Sequence, residues 1–580
     1  MWPFSQPNWK SIAASKQQTR QELVDEALTT LATTSADSST DQYTRASASE
    51  IVKNIESGQW TASDVMEAYI IRAGTVQRLH NPITEVLFSD ALTRAKALDE
   101  EFQKSGTIVG PLHGVPISIK DQYDIEGHDS SIGFSAWCNS PKRSDAAVVE
   151  AVRRAGGIVI CKTNVPQTML NFECSNPVWG VTSNPWNDQY TCGGSSGGEG
   201  AMLAADASAL GVGSDVGGSL RIPALYCGVY SLKPGAGRIS RRGACSSNPG
   251  FDAIPVTPGP MGRTVADVKL LSRVLFNCTP ANTYEGIAPV PFRVVQVPKK
   301  LKIGYYFEDK FVRTSPANRR AVQETVDALR LAGHELVEFD LPFGPRSIQI
   351  FVSLTSGDGY RTLRSPSGSD PIEKNLFLIT LGPSLYSWVR TTAAWVVRNI
   401  LGDRLFADTF ARSKPSNVGE YWSYNAQKNQ MIREFYEEVW DRYQFDAIIA
   451  PGMVAPALPH GGTTRLSPLA NGTFFYNVVD SPVGIVPVTR VDPTKDALPS
   501  DWHATSNGIG SLILNDLVYG APGVTGIYDV NKMKGLPVGV QVVGRHWEDE
   551  RILEIMDIVD KVLPKRNFGP GSWSPPQTEK

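Results

Sequence analysis

The sequence predicts an α/β fold built on one mixed central sheet with helices on both faces. Three observations carry that prediction. From Gly114 onward, short apolar runs alternate with stretches of helical periodicity. No internal repeat is visible, which argues against a solenoid. The 580 residues are 41% hydrophobic and 20% charged, an ordinary globular balance for one large α/β domain.

In chain order, SIAASKQQTRQELVDEALTTLATT reads as a helical arm within residues 1 to about 45, followed by a polar Ser/Thr/Asp stretch. ASEIVKNIESGQW and TASDVMEAYIIRAGTVQRLH read as amphipathic helices, and Thr61 with Asp64 gives the second a start like a capping box. SDALTRAKALDEEFQKSG is a further helix ending at Gly106. VPISIK is then a strand, AAVVEAVRRAGG a helix and IVICK a strand. TVADVKLLSRVLF is a helix, LKIGYYF a strand and RRAVQETVDALRLAG a helix. DAIIAP and VGVQVV are strands, and EDERILEIMDIVDKVL closes the fold. Pro289 to Lys300 is a proline-rich crossover within one domain. The expected division is 1–60 arm and linker, 61–567 main domain and 568–580 tail.

Composition excludes several functions. A net charge of -3 and a pI near 6.2 offer no general attraction to nucleic acid or anionic lipid, so Arg241-Arg242 reads as solvated surface. The seven cysteines form no CxxC pair, and with seven histidines there is no zinc spacing; reduced thiols in a cytoplasmic protein are expected. The N-terminus lacks an apolar run of signal-peptide length. The nearest approach to a membrane span, Leu376 to Val397, is interrupted by Gly382, Pro383 and Arg390.

Two Gly-rich serine loops, GGSSGG (Gly193 to Gly198) and DVGGSLR (Asp215 to Arg221), stand out. An isolated GGSSGG would read as a linker. Here EGAMLAADASALGVG between the loops reads as helix then strand, which is packed structure. Close serine loops bring hydroxyls and backbone N–H groups together, an arrangement suited to an acyl group that becomes an oxyanion. None of the seven histidines lies in a G-x-S-x-G context, although a Ser-His-Asp site assembled in space remains open.

These loops, with GPLHGVPISIKDQYD, KTNVPQTMLNFECSNPVWG, NPWN, CGVYSLKP, DAIIAPGM and LPVGVQVVGR, resemble the amidase signature family of serine hydrolases over most of residues 60 to 565. In detail they resemble its eukaryotic acetamidase and fatty-acid-amide-hydrolase branch. The resemblance implies the amidase-signature fold and a soluble amidase acting on linear amides. It implies no cofactor, and a homodimer. It also implies a Ser–Ser–Lys triad: Lys120 as base, Ser195 as bridging serine after a cis Gly194–Ser195 bond, and Ser219 as nucleophile. Burial of Lys120 would lower its pKa and allow it to act as that base. Val216, Gly217, Gly218 and Ser219 would offer N–H groups to the oxyanion. Asp215 and Arg221 would orient that loop, and Ser196 would assist by hydrogen bonding. Met169, Leu170 and Asn171 match the segment lining the acyl site.

Fatty-acid-amide relatives carry an aromatic residue where Leu170 stands and begin with a spanning helix, which this chain does not. The acetamidase type is therefore the expectation, with Trp388 to Leu405 as a cover over the active-site funnel. Three rivals stand beside it: a fatty-acid amide or ester hydrolase at a membrane surface, a glutamine-dependent amidotransferase subunit, and a non-catalytic scaffold.

Overall fold

Helix boundaries follow local capping chemistry. Thr61 accepts the Asp64 N–H at 3.0 Å, as expected, and so starts Ala62–His80. The full reciprocal box lies one helix earlier, where Ser47 and Glu50 cap each other at the head of Ala48–Glu56. Gly106 ends Phe88–Ser105 in the left-handed region, at φ 67°. The computed structural model describes residues 8–34, 40–278, 287–505 and 509–575. The first seven residues, the polar stretch at 35–39 and the tail beyond 575 lie outside the described residues.

Among the described residues, eleven strands form the central sheet: β1 Ile83–Val86, β2 Pro116–Lys120, β3 Ile158–Thr163, β4 Leu210–Asp215, β5 Tyr230–Lys233, β6 Thr257–Gly262, β7 Lys302–Tyr305, β8 Glu335–Glu338, β9 Ala447–Pro451, β10 Val483–Arg490 and β11 Pro537–Val543. Their spatial order is β1-β3-β2-β4-β6-β5-β10-β11-β9-β7-β8. The sheet is mixed. β3-β2-β4 and β9-β7-β8 are parallel sets, and the pairs between them are antiparallel. Every residue of β2, β3, β4, β9 and β11 is buried, so both faces of the alternating strands are covered. The α/β architecture expected from the alternating pattern is what forms.

The helical arm, Trp9–Thr34, lies against the main body: Val24 and Leu31 join the principal core, and the buried Arg20 guanidinium donates to the Ile83 carbonyl at 2.7 Å. At the other end, Trp573 is buried and its indole N–H donates to the Pro185 carbonyl. Pro289 to Lys300 has no regular secondary structure and connects the central part of the sheet to β7. No described helix is long and apolar enough to cross a membrane.

The parallel β2-β4 pair positions the serine loops. Lys120 ends β2 and Asp215 ends β4, so both C-terminal strand ends lie on one edge of the sheet, where open α/β sheets bind ligands. The chain reaches β4 through the helix Gly197–Ala204, whose N-terminus carries GGSS.

Candidate active site

Side chains alternate along β2, which puts Ser118 and Lys120 on one face of the sheet. Lys120 Nζ lies 2.7 Å from Ser195 Oγ and 2.9 Å from Ser214 Oγ. The lysine is fully buried, and that burial pulls its amine down to about 7 against the opposing pull of Asp215, Cys174 and Glu199. The strand neighbour Asp121 does not neutralise it. Its carboxylate accepts from Thr84, Ser131 and the Ile132 N–H, and stands 3.7 Å from the Lys162 ammonium.

The Gly194–Ser195 bond is cis, as the resemblance implied. Gly194 has no room for a side chain, because a Cβ there would meet the Asn171 carbonyl oxygen at 2.8 Å. The two serine loops are tied together by the Ser196 N–H, which donates to the Ser219 carbonyl at 3.2 Å. Ser196 Oγ makes longer bonds, at 3.4 Å, to the Ser214 backbone. Ser195 and Ser219 come to the same site, though no hydrogen bond links their hydroxyls among the described residues. Such bonds often tighten only when substrate is bound.

Asp215 and Arg221 hold the second loop. Both are fully buried and paired at 3.0 Å. Asp215 also accepts from Asn477 Nδ2 and the Leu220 N–H, while Arg221 reaches the Thr473 carbonyl, Gln541 Oε1 and Asn477 Oδ1. Burial alone would raise the Asp215 carboxyl; the Arg221 guanidinium and the Asn477 amide hold it well below the usual range. One expected oxyanion donor is already engaged: the Gly218 N–H donates to Asp215 Oδ1 at 2.8 Å. The N–H groups of Val216, Gly217 and Ser219 have no protein acceptor among the described residues. Gly218 sits at φ 121°, and a Cβ there would meet Thr473 Oγ1 at 2.4 Å, so both backbone and space require glycine.

Ser219 opens onto a largely apolar cavity of about 910 Å³, including its mouth. Met169, Leu170 and Asn171 line it, as do Gly194, Val216 and Gly217. Thr168 and Met169, at the head of this segment, both have positive φ. The Asn171 amide is turned to structural use: Nδ2 donates to the Asn375 carbonyl and Oδ1 accepts from the Glu173 N–H. Phe351 and Phe474 stack at 4.0 Å against Gly217 and form one wall. Leu378 and Ile379 from the helix Phe377–Ser384, and Phe406 and Phe410 from Arg404–Arg412, form the far wall.

Several participants lie outside the expected set. Ser214, Gln122, Thr473, Asn477 and Gln541 arrive from four separate segments, and no local pattern marks them. Glu199 carried the one available signal, a lone carboxyl in a helix otherwise made of small and apolar residues. It is fully buried, accepts from the Ser118 and Thr163 hydroxyls at 2.6 Å each, and burial pushes it up to about 7. Six histidines are engaged elsewhere: His80 with Ser183, His113 with Val109, His128 with Glu85, His334 with Leu301, His460 with Glu173 and His546 with Asp480.

A family model described as Amidase matches residues 64–553. The chain is 31% identical over 540 residues to an acetamidase of Emericella nidulans, with 90% of each chain covered. It is 31% identical over 556 residues to fatty-acid amide hydrolase 1 of Sus scrofa, covering 95% of this chain and 91% of that one. A solved fatty acid amide hydrolase structure superimposes with a TM-score of 0.81 at 26% identity, covering 96% of this chain and 94% of that one. Likeness of this extent, spanning both serine loops and the lysine strand, makes the chain a member of the amidase signature family and an amide hydrolase.

Proposed function

We propose that the enzyme hydrolyses amides of apolar carboxylic acids through an acyl intermediate on Ser219, with Ser195 and Lys120 relaying the proton. The observation that supports this most is the 2.7 Å approach of a buried Lys120 amine to Ser195 Oγ beside an apolar cavity lined by Ser219. An amine drawn down to about 7 is substantially neutral at physiological pH. As Ser219 Oγ attacks the carbonyl carbon, its proton passes to Ser195, and the Ser195 proton passes to the Lys120 lone pair. The oxyanion is stabilised by the N–H groups of Val216, Gly217 and Ser219. When the C–N bond breaks, the same chain run backwards protonates the departing amine. Water then attacks the acyl ester, giving up its proton along the same route.

The cavity favours a longer acyl chain than the acetamidase expectation. An acetyl group would touch only the residues beside Ser219, whereas an extended chain would cover the apolar lining of Val352, Tyr360, Leu378, Ile379, Phe406 and Phe410. Ammonia release from straight-chain primary amides, acetamide to dodecanamide, tests this with Ser219→Ala as the blank. Rates rising with chain length, and an acyl adduct on Ser219 by mass spectrometry, are expected. A maximum at acetamide would sink the long-chain reading, and full turnover by Ser219→Ala would sink the mechanism. Hydrolysis by the purified chain alone would also count against an amidotransferase subunit.

One observation favours a second reading, in which the substrate is drawn from a lipid surface. The helix Ser387–Asn399 lies in sequence between the two helices of the far cavity wall, and it leaves Trp388 72% and Trp395 58% exposed. Co-sedimentation with phosphatidylcholine vesicles, lost in the Trp388→Ala/Trp395→Ala double variant, is the expected result on this reading. No co-sedimentation of the wild type would dismiss it.

A further inference from the structure

Lys120 has two hydroxyl neighbours, and only one of them leads to the reacting serine. Ser195 Oγ, in the loop tied to Ser219, lies 2.7 Å from Nζ; Ser214 Oγ, on β4, lies 2.9 Å away. Ser214 is the penultimate residue of β4 and is buried. Its hydroxyl donates to Gln122 Oε1 at 2.5 Å. Gln122 is itself buried, two residues beyond Lys120, and its backbone carbonyl accepts from the Cys245 N–H at 2.7 Å.

The consequence follows from counting hydrogens. A serine hydroxyl has one proton to donate, and Ser214 has committed its own to Gln122. Towards Lys120 it can act only as an acceptor. A neutral lysine amine has two N–H groups and one lone pair. One N–H is therefore held on Ser214, which restricts rotation about the Cε–Nζ bond and leaves the lone pair for Ser195. Without that constraint, the amine can turn and present an N–H to Ser195, the wrong polarity for taking its proton.

We propose that Ser214 and Gln122 are a positioning pair that aims the Lys120 lone pair at Ser195, so that proton transfer runs from Ser219 through Ser195 to Lys120. The proposal rests on the reading of Lys120 as the base. Ser214 and Gln122 touch neither substrate nor the reacting atoms; they act through the lysine. The charged and titratable groups around Lys120 are Asp215 at the end of β4, Glu199 in the helix Gly197–Ala204 and Cys174 in the segment after β3. Asp215 is bound to Arg221, and Asp121 on the opposite side is engaged by Lys162.

The test uses a probe that reports on serine activation without the leaving-group step of amide hydrolysis. Dodecyl fluorophosphonate reacts by forming a Ser219 Oγ–P bond and breaking P–F. Fluoride leaves, and the serine proton follows the Ser195–Lys120 route. The full-length enzyme is titrated with the probe from pH 5.5 to 10, the adduct is located by mass spectrometry, and saturation separates kinact from KI. Ser214→Ala and Gln122→Met are each expected to lower the kinact plateau about 10- to 100-fold with KI little changed. Both should also move the acid limb to lower pH. Ser214→Ala removes an acceptor that favours the ammonium form, and Gln122→Met frees a hydroxyl proton to donate to the neutral amine. The double variant should be no slower than the slower single one, since the two side chains act as one unit. Ser214→Thr, which restores the hydroxyl, should recover most of the lost rate.

Labelling of Ser214→Ala or Gln122→Met within about two-fold of wild type, with an unmoved acid limb, overturns the positioning role if Lys120→Met is inert. Labelling of Lys120→Met at the wild-type rate, or absence of labelling in the wild type, overturns the parent mechanism instead. Circular dichroism verifies each fold, and Gln122→Met decides the matter should Ser214→Ala fail to fold.

Discussion

Asp121 presents its carboxylate to Lys162 at 3.7 Å and faces away from its sequence neighbour Lys120. Lys162 stands opposite Ile119 in the β2–β3 ladder, and because successive side chains in a strand point to opposite faces, that register separates it from Lys120. Lys162 has a carboxylate beside it, and its ammonium also donates to Ser130 Oγ and the Asp129 carbonyl. Among the described residues, Lys120 has only hydroxyls in hydrogen-bonding contact. Sequence adjacency alone would have paired Lys120 with Asp121 as an ordinary ion pair. The strand geometry instead leaves Lys120 buried without a contacting counter-charge, the condition that lowers an amine pKa.

That depression makes both activity and stability rise with pH, in successive windows. The rate constant kcat/KM should rise with an apparent pKa of about 7 as Lys120 loses its proton. For stability, the folded value of about 7 lies below the ordinary 10.5, so the unfolded chain binds the proton more readily. Stability from this group is complete above pH 10.5 and is lost progressively as pH falls to about 7. Lys120→Met should therefore abolish turnover yet resist urea better than wild type at pH 7. The advantage should disappear near pH 10.5, after allowance for the orphaned Ser195 and Ser214 hydroxyls. Urea midpoints at both pH values check the sign; a Met variant weaker at pH 7 than at high pH, relative to wild type, would contradict it.

Glu199 has the converse linkage. Its folded value, raised from 4.5 to about 7, means that the folded chain holds the proton more tightly than the unfolded one. The stability it contributes is complete below pH 4.5 and is lost as pH rises through about 7. Glu199→Gln should match wild type in acid and surpass it at pH 8. It also removes a negative neighbour that favours the Lys120 ammonium, so the acid limb of kcat/KM should move to lower pH. Thermal melts and rate profiles on the same protein read both effects. A limb that stays in place would show that Glu199 does not influence the lysine.

The alternation of strands and helices was legible because each element is specified locally: Val/Ile runs for β3, β9 and β11, and Thr61 and Gly106 at helix ends. The serine loops were legible because Gly194 and Gly218 leave no room for a side chain. The surroundings of those loops were not. Thr473 and Asn477 come from the helix Asn471–Val478, more than 250 residues after Asp215, and reach it only because the sheet folds that helix over the loop. Ser214 sat beside a recognised motif, but its role depends on the Gln122 side chain, whose direction no sequence pattern gives. The cavity walls likewise come from residues about 130 to 260 positions beyond Ser219, and no pattern around Leu170 places them.

The Asp215–Arg221 pair should govern whether the second serine loop forms at all. Arg221→Met strips the guanidinium from a buried carboxylate and should cost about 3–5 kcal/mol. Asp215 is held low in the folded state, so its stabilising contribution is present above pH 3.8 and lost as pH falls below that. The single variant should consequently lose most of its sensitivity to acid in that range. Adding Asp215→Asn should recover part of the loss, because an amide is cheaper to bury unpaired than a carboxylate. Equilibrium unfolding of the two variants measures this. A double variant less stable than Arg221→Met alone would mean that Asp215 is anchored chiefly by Asn477 and the loop amides.

The acyl preference should respond to one wall of the cavity. Val352 lies on the helix Gly344–Thr355 and lines the cavity beside Phe351, whose ring stacks on Phe474 next to the Gly217 backbone. Val352→Trp would fill space beyond the reacting centre while leaving that stack and both serine loops in place. The KM for dodecanamide should rise about ten-fold or more, since each buried methylene that can no longer be accommodated forfeits about 0.8 kcal/mol. Butanamide, whose chain ends before the obstruction, should be turned over as before. Equal effects on both amides would show that Trp disturbs the serine loops, and equal turnover of both would show that long chains lie elsewhere. Only a change confined to the long amide identifies this wall as the surface along which the acyl chain binds.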